Sequence, residues 1–386
     1  MITTINNEHK KVYVPNLRFP EFQGEWEKKT IGEIATIKNG PFGSVLHAED
    51  YVDEGMPIVT TEHFKNGSLP LSKNGIPQVS EDDYYRLKGY MLEKDDIVFS
   101  RVGSVDINAH VEQVQQGWLF SGRVLRVRPI KSVNSLCLHY VLSTESVKRD
   151  IRNRAVGQTM PSINTPILSN TEIYMSQSKA EQKKIASLLS LIDERIATQN
   201  KIIDKLQSLI RGIAQKIVHS NKTNVRLSEC VECSSSTLQE SDVCEHGAYP
   251  VYGANGIVGY LDNYNTEGEA VYIIKDGSGV GTVSYVTGKC SATGTLNTLQ
   301  AKEGYSLQYL YYLLKVFNFE PYKTGMAIPH IYFKDYGKAK FFCPSYIEQL
   351  QYAQSLSAID SKLLVEKNIL TSLSMQKQYL LRQMFI

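Results

Sequence analysis

The chain has 386 residues, of which 42% are hydrophobic and 21% charged, with six cysteines and a formal net charge of +2. This length allows two or three domains with well-buried cores, and the charge neither requires nor excludes nucleic acid as a partner. The polar start lacks the apolar core of a signal peptide, and no run of 18 apolar residues indicates a membrane span. We therefore expect a cytoplasmic protein with reduced thiols and no membrane partner.

The first part of the chain is predicted to be a strand-rich module of residues 25–178 that follows an N-terminal arm of residues 1–24. Residues 95–102 and 123–128 have the alternating, β-branched composition of half-buried strands. A helix is predicted over residues 135–152. Glycine-rich turns interrupt the strands, as is typical of mixed α and β structure.

A long helix is predicted over residues 179–220, because apolar residues recur there at alternating steps of four and three, as in a heptad repeat. The apolar stripe consists of Ile185, Leu189, Ile192, Ile196, Ile203, Leu206, Ile210, Ile213 and Ile217. Gln199 occupies the one gap in this stripe. An isolated helix with a single apolar stripe must pair with another element to bury it.

A second module is predicted over residues 221–345, with strands at residues 270–275 and 282–286 and a helix at residues 306–317. A second long helix follows over residues 346–386, with its stripe starting at Tyr352 and ending at Met384. Between them the stripe contains Leu356, Ile359, Leu363, Leu370, Leu373 and Leu380. Glu366 takes the position that Gln199 has in the first helix. Such a polar position either fixes the register in which the two helices pair or is tolerated in a hydrated part of the contact between their stripes.

The second half of the chain repeats the first. The motif Gly-x-x-x-Pro at residues 157–161 recurs at residues 325–329, and the Glu-Gln pairs at 181–182 and 348–349 recur at nearly the same offset, 168 against 167 residues. We therefore predict an α+β fold built as a pseudo-twofold tandem repeat. Two strand-rich α/β modules are separated by a pair of long antiparallel coiled-coil helices, each the partner of the other.

Charge and chemical motifs leave several alternatives open. Residues 101–160 hold nine Lys or Arg against four Asp or Glu, which is either a DNA-binding patch or a solvated surface. The cluster consists of Arg123, Arg126, Arg128, Lys131, Lys148, Arg149, Arg152 and Arg154. Residues 277–281 resemble a nucleotide loop, but a strand rather than a helix follows them, which favours a strand turn.

A zinc site is the alternative to buried structural thiols in the second module. Its four ligands would be Cys230, Cys233, Cys244 and His246. We favour the structural thiols, because the matching segment of the first module has no cysteine, and we predict no metal site in this chain.

Several motifs together identify a resemblance to a known family. They are the closing Gly-Gln-Thr-Met-Pro-Ser-Ile of residues 157–163, the Ala-Glu-Gln-Lys-Lys-Ile-Ala of residues 180–186, and the Asn-Gly-Pro-Phe-Gly-Ser of residues 39–44. With them the chain resembles the specificity subunits of type I restriction-modification systems from about residue 12 to its end. The second half departs from the first, since Met326 and Ala327 replace Gln158 and Thr159.

The resemblance implies two target recognition domains, each reading one half of a split site in double-stranded DNA. It implies helices that set the spacer and dock two methyltransferase (modification) subunits, which restriction/translocase subunits join. S-adenosylmethionine, ATP and Mg are then expected on those partner subunits, with no cofactor bound by this chain. The chain also lacks the Asn/Asp-Pro-Pro-Tyr/Phe motif of an adenine methyltransferase. We therefore expect no catalytic residue here.

Polar, basic and aromatic residues near the glycine-rich turns are the candidates for DNA contacts, because sequence is read at base edges and phosphate contacts set position. In the first module they are Asn39, Phe42, Ser44, Arg101, Ser104, Arg123, Gln158 and Thr159. In the second they are Tyr252, Asn255, Lys275, Ser278, Thr293, Thr295, Lys323 and His330. Two other classes stay open: a coiled-coil scaffold that binds no DNA, and a self-contained methyltransferase or nuclease.

Overall fold

A computed structural model describes residues 13–41, 46, 48–220 and 222–386. The chain divides into two compact units. The first runs to Ala197 and takes up again at Thr371–Ile386, and the second is Thr198–Leu370. Each unit contains one strand-rich module and a part of each long helix.

Among the described residues of the first unit there are three small sheets. The main sheet is antiparallel and has, in spatial order, strands Ala35–Asn39, Val124–Pro129, Ile97–Ser100 and Asn108–His110. A second sheet has strands Tyr51–Val52, Gln78–Val79, Met56–Val59 and Leu119–Phe120, of which the last two are parallel. A two-stranded ribbon pairs Glu27–Thr30 with Glu172–Met175. The strand predicted at residues 95–102 is present but shorter, as Ile97–Ser100, and the strand predicted at residues 123–128 is shifted by one residue, to Val124–Pro129.

The second unit repeats this set of sheets. Its main antiparallel sheet has, in spatial order, strands Val231–Ser235, Leu296–Ala301, Glu269–Ile274 and Val283–Thr287. A three-stranded sheet has Gly256–Leu261, Tyr249–Gly253 and Ser291–Ala292, of which the last two are parallel. A short ribbon pairs Val225–Arg226 with Lys340–Phe341.

Both main sheets are buried on two faces. Side chains of successive strand residues point to opposite faces, and each face packs into a different core. In the first unit, Ile97 and Phe99 pack into one core and Val98 into another. In the second unit, Ile273 packs into one core and Tyr272 into another. This explains why the central strands read as continuous apolar runs.

The short helices cover the sheets. In the first unit they are Ile31–Ile34, Glu81–Arg86, Ser135–Leu142, Glu145–Arg154 and Thr165–Ser169. In the second unit they are Leu227–Cys230, Leu307–Leu314 and Phe333–Tyr336. The single helix predicted over residues 135–152 is wrong: it is two helices. The first ends at Leu142, with Ser143 as its C-cap, and extended Thr144 starts the second.

The two long helices are Lys179–Ser220 and Tyr346–Met384, and they pack against each other in an antiparallel arrangement. In the first unit, Asp193 forms an ion pair of 2.5 Å with Lys377. Near the start of the first long helix, Glu181 binds Arg18. The N–H of the adjacent Leu17 donates to the carbonyl of Gln383, near the end of the second long helix. The start of the first long helix therefore lies near the end of the second.

Most of the apolar stripe is buried where the helices meet. In the first unit Ile185, Leu189 and Ile192 share a core with Leu380 and Leu381. In the second unit Ile203, Ile210, Ile217, Leu356 and Leu363 share another. Half-buried stripe residues are Ile196, Leu206, Ile213, Ile359, Leu370 and Leu373. Tyr352 is wrong as the start of the stripe, because it is 37% exposed and the buried residue is Ala353.

The repeated Gln of each Glu-Gln pair ties a module to its long helix. Gln182 accepts a 2.7 Å hydrogen bond from the Asn134 backbone N–H, and Gln349 accepts one of 2.9 Å from Ser306. Asn134 and Ser306 are the N-caps of the helices Ser135–Leu142 and Leu307–Leu314. A glutamine at the same position of the repeat therefore binds the N-cap of the equivalent short helix in each unit.

Candidate nucleic-acid interface

In the first unit, the loop of residues 157–161 projects from a fixed base. Val156 and Ser162 exchange two backbone hydrogen bonds of 2.9 and 2.8 Å below it. Gly157 has a φ of +101°, and a Cβ there would lie 2.8 Å from the Met160 carbonyl oxygen, so this position requires glycine. The loop is a tight turn with a closed neck.

In the second unit, the loop of residues 325–329 is built in the same way. Thr324 and His330 exchange two backbone hydrogen bonds of 2.9 and 2.8 Å. Gly325 has a φ of +88°, and a Cβ there would lie 2.4 Å from the Ile328 carbonyl oxygen. We call the two segments the first and second projecting loops.

Both projecting loops dock on the end of a central strand that carries a cation. In the first unit, the Arg101 carbonyl accepts from Ile163 N–H at 2.9 Å, and Pro161 O accepts from Gly103 N–H at 2.8 Å. In the second unit, the Lys275 carbonyl accepts a hydrogen bond of 2.9 Å from the Ile331 N–H. The matching bond from Gly277 N–H to the Pro329 carbonyl is 3.0 Å. Arg101 and Lys275 therefore hold equivalent positions.

The adjacent strand completes each surface. The Arg101 N–H donates to the Arg123 carbonyl at 3.0 Å, and the Lys275 N–H donates to the Thr295 carbonyl at 3.0 Å. The Arg101 guanidinium also donates to the Gly122 carbonyl at 3.1 Å. The fold thus brings Arg101 and Arg123 together with the first projecting loop, whose Gln158 and Thr159 are exposed. It brings Lys275, Thr295 and His330 together with the second.

The other candidates of the first unit are more scattered. Ser104 is exposed in the turn on which the first projecting loop docks, as is Ser278 in the second unit. Asn39 is half-buried at the end of its strand, and its side-chain oxygen accepts a 3.3 Å hydrogen bond from the Thr165 hydroxyl. Phe42 and Ser44 lie outside the described residues.

Several candidates in the second unit are already engaged within the fold. Thr293 is 2% exposed and its hydroxyl bonds that of Thr295 at 2.8 Å, so packing explains its presence. Lys323 pairs with Glu320 at 2.6 Å, and His330 Nδ1 lies 2.5 Å from an oxygen of Asp276. The Tyr252 ring packs 5.7 Å from Tyr272, and burial raises its pKa. Asn255 is exposed at the turn of a hairpin.

The basic cluster of residues 123–154 is partly neutralised by neighbouring carboxylates. Arg128 binds Asp96 at 2.7 Å and Glu93 at 2.6 Å, and the first bond raises its pKa. Arg152 and Arg154 also form ion pairs with carboxylates of their own unit. For these three arginines the structure favours a paired surface over a DNA-binding patch.

The sequence did not indicate the apolar tips of the projecting loops. Met160 is 61% exposed in the first loop, and Met326 and Ile328 are 107% and 58% exposed in the second. Their position between the Gly and the Pro of the repeated motif is the signal that points to them. These apolar side chains have no core to pack into, so they are available for contact with a partner molecule.

Two of the cysteines lie in a core, and the glycine-rich turn joins two strands. The Cys230 and Cys343 sulfurs lie 3.9 Å apart in a core, whereas Cys244 is exposed. The described residues contain no group of three His, Cys, Asp or Glu side chains that could hold a metal ion. Residues 277–281 form a turn between strands Glu269–Ile274 and Val283–Thr287. Within the described part of the chain, no helix has the length and hydropathy that crossing a membrane requires.

Comparison with known proteins agrees with this architecture. Residues 23–208 and 219–375 match the family profile of the type I restriction modification DNA specificity domain. A putative type I restriction enzyme specificity subunit (MjaX) of Methanocaldococcus jannaschii is 29% identical over 210 residues, 51% of this chain and 46% of that one. The chain thus spans less than half the length of that relative. A putative type I specificity subunit of Mycoplasma genitalium is 26% identical over 64% of this chain and 70% of its own length.

Solved structures share the fold. The crystal structure of a type I restriction-modification S subunit from M. genitalium superposes with a TM-score of 0.67 at 20% identity, over 97% of this chain and 99% of that one. A chain from a structural study of type I restriction-modification complex assembly gives 0.51 at 15% identity, over 92% and 96%. With both of its modules matched, the chain belongs to the family of type I restriction-modification specificity subunits, which are non-catalytic.

Proposed function

We propose that this chain is the DNA-recognition subunit of a type I restriction-modification complex, and that each unit reads one half of a bipartite site in double-stranded DNA. The observation that carries the proposal is the matched pair of projecting loops, each docked beside a cation at a strand end. Phosphate contacts position a protein on DNA, and groups that reach base edges specify the sequence. A cation next to an exposed loop can supply both.

The two half-sites should differ, because the two surfaces differ. The first projecting loop carries Gln158 and Thr159, and the second carries Met326 and Ala327 in their place. We expect an asymmetric site with an unread spacer and half-sites about one helical turn apart or a little less. Methylome sequencing of a host that expresses this chain with its partner subunits tests this directly. A palindromic or continuous methylated site would contradict it.

We further propose that the long helices set the spacer and dock two methyltransferase subunits. Exposed apolar side chains on these helices support a partner surface, among them Leu191, Leu209, Leu364 and Met375. Restriction/translocase subunits would join that core, and S-adenosylmethionine, ATP and Mg would bind to the partners. The complex would act in the cytoplasm, on DNA that enters the cell.

Two experiments separate this proposal from its alternatives. A gel shift with and without the methyltransferase subunits distinguishes DNA recognition from a scaffold that binds no DNA. The purified chain alone should neither methylate nor cleave DNA. Robust methyl transfer from S-adenosylmethionine by the chain alone would show that it carries its own active site, and would defeat the assignment of that chemistry to a partner.

A further inference from the structure

The tip of the second projecting loop has no side chain that can read a base edge by a strong hydrogen bond. Its residues between Gly325 and Pro329 are Met326, Ala327 and Ile328. Base edges are distinguished by donors, acceptors and the thymine methyl group, and as a hydrogen-bonding group these three side chains offer at most the weak thioether acceptor. The tip of the first projecting loop differs, since it carries Gln158 and Thr159 beside Met160.

This apolar tip is exposed to solvent above a hydrogen-bonded neck. Met326 is 107% exposed and Ile328 58% exposed, while the neck below them is closed by the two bonds between Thr324 and His330. The same neck is bonded to the strand end at Lys275 and Gly277. A lysine therefore lies at the base of the projection, where a phosphate of the duplex can pair with it.

Apolar side chains inserted between base steps are one means by which proteins open a stacked duplex. Methionine, isoleucine and proline recur among the wedges that other proteins insert between base steps. Methylation of an adenine inside a duplex also requires the base to leave the stack, at a cost of a few kcal/mol. A projection that fills the vacated space lowers that cost.

We propose that Met326 and Ile328 form an apolar wedge that enters the base stack of the half-site bound by the second unit and holds open the space left by the target adenine. This inference rests on the proposed function, because it requires the chain to present DNA to a methyltransferase. In the first unit, Met160 shares the corresponding loop with two polar side chains, so reading by hydrogen bonds accompanies insertion there.

The test uses the complete methyltransferase complex with the double variant Met326→Ser and Ile328→Ser. The substrate is a duplex with the methylome-derived target, and the initial methylation rate is measured separately at each half-site. We expect the rate at one half-site to fall about tenfold or more, since unstacking costs a few kcal/mol per step. The rate at the other half-site should be unchanged, which also reports that the variant is folded.

A mismatch opposite the target adenine distinguishes a wedge from other contacts. A mismatched base leaves the stack more easily, so the variant should recover most of its lost rate on that duplex. Leu71→Ser, at a residue 63% exposed in the first unit, is the matched control and should leave both rates unchanged.

Two results would overturn the wedge. One is an unchanged rate at both half-sites. The other is a loss of rate that the mismatch does not restore. If the wild-type complex loses the same rate on a duplex in which uracil replaces thymine in that half-site, the tip contacts a thymine methyl group instead. Absence of any sequence-specific methylation by the wild-type complex would instead count against the proposed function, so the two failures are distinguishable.

Discussion

The side chain of Gln199 donates a 3.0 Å hydrogen bond to the backbone carbonyl of Glu366 and a second bond to its carboxylate. The two residues are 7% and 6% exposed, and they occupy the same position in the two copies of the repeat. Lys362 also binds the carboxylate. The polar position of the apolar stripe is therefore a buried, paired site rather than a wet one, and pairing of this kind favours a single register.

The Gln199 and Glu366 pair should behave as a unit in unfolding. Gln199→Leu alone leaves a buried carboxylate without one of its donors, and should lower the unfolding temperature of the chain. Gln199→Leu combined with Glu366→Leu replaces the pair by apolar residues and should restore it, as replacement of buried polar pairs often does. Thermal unfolding followed by circular dichroism measures both. A double variant less stable than the single one would contradict this account.

A second prediction compares two equivalent tyrosines. The Tyr140 hydroxyl donates to Asp193 at 2.8 Å, and the Tyr312 hydroxyl donates to Asp360 at 3.4 Å. A typical hydrogen bond contributes about 1 kcal/mol, and a bond at the distance limit contributes less. Tyr140→Phe should therefore destabilise the chain by about 1 kcal/mol, and Tyr312→Phe, the matched control, by less. Urea unfolding of both variants checks the order, and equal losses would show that distance does not decide it.

The sequence predicts the position of the repeat and its long helices, but it does not predict which groups the repeated residues bind. The spacing of apolar residues was enough to predict both long helices, because helical periodicity is local. The roles of Gln182 and Gln349 were not predictable, since each binds a backbone group 48 or 43 positions away along the chain. Local patterns do not show such pairings.

The same limit applies to the candidate site. Arg101 and Arg123 are 22 positions apart in the sequence, and the sheet pairing places both beside the loop of residues 157–161. Thr293 looked like a loop hydroxyl, but the fold buries it. Composition indicated a basic surface at Arg128, whereas its neutralising partner Asp96 comes from a neighbouring strand end. Tertiary pairing decides which charges are free to meet DNA.

A third prediction concerns pH. His139 is buried, with its Nδ1 2.7 Å from Asn108, and burial lowers its pKa to about 3. In the unfolded chain the pKa is about 6.5, so below that pH only the unfolded state binds the proton. The free energy of unfolding should fall by about 1.4 kcal/mol per pH unit from this residue as the pH drops below about 6.5.

His139→Gln should remove that component. The difference between wild type and variant, measured by urea unfolding between about pH 6.5 and 5, should therefore shrink as the pH falls. Burial also lowers the pKa of His110, so the wild type keeps a second histidine contribution that the variant retains. His246→Gln, at an exposed residue, is the control. Parallel pH curves for wild type and His139→Gln would contradict the assignment.

A fourth prediction concerns Lys275 as a phosphate contact. Lys275→Gln should weaken DNA binding by the assembled complex and reduce the slope of log affinity against log salt by about 0.9, because one fewer phosphate is neutralised. The methylated sequence should stay the same. Lys302→Gln is the matched control. Thr295, which bonds Lys275, precedes strand Leu296–Ala301, whereas Lys302 follows that strand at its opposite end. An unchanged slope with Lys275→Gln would remove Lys275 from the interface.

The last prediction treats the long helices as a ruler. A four-residue insertion after Gln199 adds about 6 Å of helix, and each base pair of DNA spans roughly 3.4 Å. A matching insertion immediately before Glu366 lies on the same side of the pair in the antiparallel second helix, so it keeps Gln199 opposite Glu366 and the two apolar stripes roughly in phase. The methylome of a host with both insertions should therefore show a spacer longer by about one or two base pairs. The two half-sequences should be unchanged, because the projecting loops are untouched. An active complex with the original spacer, or with altered half-site bases, would show that the helices do not set the distance.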